Sequence, residues 1–130
     1  MAEKTFDVQK LNHIAWRCRD AEETRAFYED VLGLPLAHVV RADSVPSTGE
    51  RCSFAHLFFR MADGSFVAFF DLGDGKAPAP DPATPGWVNH LSLEVGSLAE
   101  LERAKADKPK RAPRPRKGFA AHLERVEIII

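Results

Sequence analysis

The chain has 130 residues, 45 % of them apolar, and nine are Phe, which is enough for one compact domain with a bulky core. A formal net charge of −1 argues against nucleic acid or a charged membrane surface as a partner. No apolar run approaches the roughly 20 residues that a membrane-spanning helix needs.

Residues 11–18 alternate as a strand. Ile14, Trp16 and Cys18 fall on one face, and His13, Ala15 and Arg17 on the other. Asp20 followed by Glu23 resembles a capping box and predicts a helix over 20–33. Ala26, Phe27, Val31 and Leu32 form its apolar stripe, and Gly33 is its C-cap. Residues 35–42 read as a short strand and 44–50 as a polar loop. Residues 52–61 and 65–72, joined at Asp63-Gly64, read as a hairpin. Residues 73–86 are rich in Pro, Gly and Asp and read as a linker.

The chain then restarts. Residues 88–95 predict a strand, Ser97 with Glu100 caps a second helix, and Leu98, Leu101 and Ala104 supply its stripe. "NHIAWRC" at 12–18 and "NHLSLEV" at 89–95 stand at equivalent points of this internal repeat of about 75 residues. Residues 8–72 form the first unit and 87–130 the second, within a single domain spanning 1–130. The second unit is irregular at 108–118, where the basic, Pro-rich run "KPKRAPRPRK" predicts neither helix nor strand. A solvated tail of that kind needs no nucleic-acid partner. Residues 125–130 read as a closing strand. Cys18 and Cys52 match no zinc spacing and read as reduced thiols of a cytoplasmic protein. The start, Met1 to Lys4, reads as no signal peptide.

A lone His on a strand is ordinarily a hydrogen-bonded structural residue. Two at equivalent points of a repeat are different, because pseudo-symmetric packing brings equivalent residues together near a shared axis. Neutral imidazoles meeting there begin a metal site, so His13 and His90 are candidate ligands. Glu127, flanked by Val and Ile in the last strand, would complete a face of two His and one carboxylate. His56 is a candidate catalytic residue, as a hydrogen-bond donor behind the ligands or as a proton carrier. Tyr28 and Arg17 are further candidates for substrate contact.

The repeat, the Asn-His strands, "FYEDVLGLPL" (27–36) and "DGSFVAFFD" (63–71) together resemble the vicinal oxygen chelate superfamily of glyoxalases, bleomycin-resistance proteins and extradiol dioxygenases. The resemblance implies an α+β fold of paired βαβββ modules curled around a metal-containing cavity. It also implies a homodimer and a small-molecule substrate. The family's metal positions fall on His13, His90 and Glu127. A fourth, a Glu in glyoxalase-like members, falls on Ala68, which has no donor atom. Three ligands match the extradiol dioxygenases, so the implied cofactor is a divalent metal, Fe(II) first, with Mn(II), Zn(II) or Ni(II) as alternatives. Phe66 and Phe70 share a strand face with Ala68, and these residues form the expected pocket for an aromatic substrate. The alternatives are a metal-free binding protein of the bleomycin-resistance type and a metal-dependent lyase or isomerase. The second module is shortened: three strands after its helix need roughly 30 residues, and 23 follow Asp107.

Overall fold

The computed structural model describes residues 3–111, 122–124 and 127–129. The first unit is a complete βαβββ module. Strand β1 (His13–Cys18) leads into helix α1 (Ala21–Arg25), and β2 (Leu36–Ser44), β3 (Arg51–Arg60) and β4 (Phe66–Asp71) follow. They form a four-stranded sheet of order β1-β4-β3-β2, in which β1 and β4 are parallel and the other neighbours antiparallel.

Local chemistry accounts for these boundaries. Asp20 is extended, and its carboxylate accepts the Glu23 N–H at 2.8 Å, a cap bond at the helix N-terminus. The capping box does not close, because the Glu23 carboxylate pairs with Arg19. The helix predicted over 20–33 is α-helical only to Arg25. From Ala26 to Val31 it widens to a π-helix, in which the Leu32 N–H reaches back to the Phe27 carbonyl at 3.0 Å. That wide turn buries both Tyr28 and Val31. Gly33, at φ +75°, ends it. The hairpin turns at Gly64 (φ +83°), where the Asp63 carboxylate accepts the Ser65 N–H at 2.9 Å. Asp71, at the end of β4, accepts the Ala21 N–H at 2.9 Å and fixes the helix start to the sheet.

The core lies on one face of this sheet. Phe59 and Val67 are fully buried there, with Leu57, Phe69, Cys18 and Tyr28 around them. Leu93 and Leu101, from the second unit, join the same cluster.

Among the described residues the second unit follows the same order of strand, helix and strands. It comprises β5 (Ser92–Glu94), α2 (Leu98–Arg111), β6 (His122–Glu124) and β7 (Glu127–Ile129), with sheet order β5-β7-β6. Two features depart from the sequence reading. The strand expected over 88–95 covers only Ser92–Glu94, so His90 precedes it. Helix α2 continues through Pro109 to Arg111, where composition predicts no helix. Strand β7 runs antiparallel to β5, whereas β4 runs parallel to β1. Of the run 108–117, residues 112–117 lie outside the described residues.

Candidate metal and substrate site

Strand alternation decides what faces away from the core. On that side stand His13 from β1, Phe66 and Phe70 from β4, Phe54, His56 and Phe58 from β3, and His38 from β2. Their rings form one connected layer. His56 stacks on Phe70 at 3.7 Å and 17°, and Phe58 touches His56 at 4.1 Å, His13 at 5.3 Å and Phe66 at 5.9 Å. Phe54 closes on Phe70 at 5.4 Å. The Phe rings are half-buried, and His13 and His38 are exposed. The layer is therefore an open aromatic face carrying imidazoles.

His13 and His56 approach each other to 6.1 Å between ring centroids. Their register rows are far apart, since His13 is opposite Phe66 and His56 opposite Phe70. Between these rows lies that of Ala15, Ala68 and Phe58. Small side chains at 15 and 68 leave room for the two rings to lean together. Ala68, fully buried, forms the floor of the site.

The leading Asn of each Asn-His pair raises the question of tautomer. The Asn12 side-chain oxygen lies 2.7 Å from His13 Nδ1. An amide oxygen only accepts, so Nδ1 is the donor, and in the neutral ring Nε2 then keeps its lone pair. His90 reaches the same state by another route, donating from Nδ1 to the Val88 carbonyl at 3.1 Å. Both histidines are thus set to coordinate through Nε2. His56 Nε2 is buried without a hydrogen-bond partner among the described residues. Burial, and then the neighbouring His13, push the His56 pKa below its ordinary value.

The sequence-predicted residues come from both units. His13, His56, Phe66, Ala68 and Phe70 share the open face of the first sheet. His90 is exposed ahead of β5 in the second unit. Glu127 lies on β7, opposite Glu94 and Glu124 in register, and its side chain is outside the described residues. Tyr28 is not a substrate contact: it is buried on the core side between Phe59 and Phe69, and burial pushes its phenol pKa up. Arg17 is held by Asp74 and by the Lys76 carbonyl at 3.1 Å, which pins the linker to β1. A cleft of about 360 Å³ borders the face beyond Phe54, lined in part by Arg41, Asp43, Ser53 and Asp71. Sequence reasoning missed His38 and Phe58. His38 meets Phe66 at 5.8 Å and Phe58 at 6.2 Å. Pairing β2 with β3 by the period of two would have placed it there.

These donors fit a divalent transition metal in kind, because lone-pair imidazole nitrogens suit Fe, Ni, Cu and Zn. Among the described residues no group of three or more His, Cys, Asp or Glu gathers around one point. Ala68 adds no donor.

A family model described as the Glyoxalase/Bleomycin resistance protein/Dioxygenase superfamily matches residues 10–127. A probable chloroplastic lactoylglutathione lyase of Arabidopsis thaliana is 29 % identical over 112 residues, which is 86 % of this chain and 31 % of that protein. Protein y4qI of Sinorhizobium fredii (strain NBRC 101917 / NGR234) is 78 % identical over 32 residues, 25 % of this chain and 6 % of that one. The chain therefore spans a third or less of the length of these relatives. No solved structure matches.

Proposed function

Because the chain belongs to the glyoxalase/bleomycin resistance protein/dioxygenase superfamily, we propose that it is a metal-dependent enzyme acting on a small molecule with two vicinal oxygens. The reaction we assign is extradiol-type ring-cleaving oxygenation of an aromatic diol. The observation that carries this reading is the open face itself: His13, with its Nε2 lone pair free, stands among Phe58, Phe66 and Phe70 above Ala68. His90 and Glu127 are the further ligands proposed, and Fe(II) the metal. The setting is a cytoplasmic homodimer; the free thiols of Cys18 and Cys52 accord with a reducing compartment. Among the described residues no helix is long and apolar enough to cross a membrane.

When bound, a divalent ion supplies a Lewis-acid centre that two vicinal oxygens can chelate and, as Fe(II), a route for electrons to dioxygen. The chain's own part is to hold that geometry. Asn12 keeps His13 in the coordinating tautomer. The Phe layer receives a flat aromatic ring and excludes water from it. Alanine at 68 leaves open the position that glyoxalase-like members fill with a carboxylate.

A lyase or isomerase reaction is the second reading, favoured by similarity to the Arabidopsis protein, whose name describes a lactoylglutathione lyase. Anaerobic purification followed by iron analysis and a catechol-cleavage assay tests the proposal. Stoichiometric iron with ring cleavage supports it. Iron-loaded protein that leaves catechols intact but turns over a hemithioacetal supports the lyase. A protein that takes up no divalent metal yet binds aromatic ligands tightly is a sequestering binder, and the enzymatic reading then fails.

A further inference from the structure

We propose that His56 is itself a metal ligand, pairing with His13 to form a two-imidazole site within the first sheet. The proposal rests on the metal-dependent reading above and adds a donor to it. Two independent observations carry it. His56 Nε2 is shut away from solvent and has no hydrogen-bond partner among the described residues. A buried polar nitrogen left in that state is a cost to the fold, one that a bound ion removes. The second observation is distance: the two ring centroids lie 6.1 Å apart. Two imidazoles on one ion, each at about 2.1 Å, place their centroids roughly 4.5–6.5 Å apart as the angle at the metal opens from 90° to 180°. The observed 6.1 Å lies toward the open end of that window, so the rings must lean about 1 Å closer to share a tetrahedral ion.

The surrounding residues serve the same arrangement. Stacking on Phe70 and contact with Phe58 fix the His56 ring plane, as packing around a ligand should. Asn12 fixes the tautomer of His13. The alanine floor at 15 and 68 opens the space between the rings. Glyoxalase-like members draw a donor from position 68 itself; here the donor comes from the neighbouring strand. The role of proton carrier suits His56 less well, because its free nitrogen is sealed from solvent.

The test is Zn(II) titration of the full metal-stripped chain by calorimetry, together with long-range 1H–15N spectra of the histidine rings. The expected result is one Zn(II) per chain, with His13→Gln and His56→Gln each weakening affinity at least tenfold. In the wild type the Nε2 resonances of both residues should move on binding, a readout that does not depend on any variant folding. Wild-type affinity in His56→Gln, or a His56 Nε2 resonance unmoved at saturation, overturns the proposal. If His90→Gln and Glu127→Gln weaken binding in that case, the ligand set proposed above survives without His56. If only His13→Gln and His56→Gln weaken it, this pair stands and that ligand set falls. Absence of Zn(II) binding by the wild type near 1 mM removes both.

Discussion

Replacing Ala68 by glutamate tests the geometry of the open face most directly. The new side chain would rise from the floor of the site, in the row between His13 and His56. Ala68 is fully buried, so the substitution first costs stability. Overpacking a filled position costs about 1–3 kcal/mol, and burying a carboxyl without full pairing adds about 2 kcal/mol. The sum is about 3–5 kcal/mol. For a domain of this length, ~4 °C of melting temperature corresponds to each kcal/mol, so the metal-free variant should melt about 12–20 °C below the wild type. Zn(II) should reverse much of that loss, because the new carboxylate lies beneath the imidazoles. At a hundred times the dissociation constant, a ligand specific to the folded state adds about 2.7 kcal/mol, or ~10 °C. The assay is thermal unfolding at pH 8, with and without Zn(II). If the carboxylate coordinates, the Zn(II)-induced shift in Ala68→Glu exceeds that of the wild type by at least ~5 °C, the equivalent of a tenfold gain in affinity. A destabilised variant with no larger Zn(II) shift than the wild type would show that position 68 does not face the His13–His56 pair, and the reasoning about the floor would be wrong.

Two further outcomes follow from the core and from His56. Phe59→Ala removes a fully buried ring packed on Tyr28 at 5.4 Å and should cost about 3–5 kcal/mol in denaturant unfolding; a loss below 1 kcal/mol would mean that the core is not centred there. The fold lowers the His56 pKa from its ordinary 6.5, first by burial and then through His13. The unfolded chain therefore takes up this proton more readily than the folded one. The stability contribution is complete above pH 6.5 and is lost as pH falls through that value and on through the lower folded pKa. The melting temperature of the metal-free protein should fall between pH 7 and pH 5, and His56→Gln should flatten part of that slope; identical slopes would contradict it.

Sequence alone determined the first module almost entirely. A period of two over 11–18, 52–61 and 65–72, a cap at Asp20 and turn glycines at 33 and 64 are local signals, and local signals survive translation into structure because they act within a few bonds. The same alternation sorted His13 from Trp16 and Phe66 from Val67. The family resemblance rested on these segments, and the fold and superfamily agree with it. Tertiary structure decided which histidines meet. The repeat relates His13 to His90, because a repeat records equivalence along the chain, and it says nothing of His56. Proximity depends instead on strand order and register, and these bring His56, two strands away, to within 6.1 Å of His13. The wide π-turn at Ala26–Val31 and the burial of Tyr28 are also products of packing: the helix stripe is legible in the letters, but which residue turns inward depends on the sheet it meets.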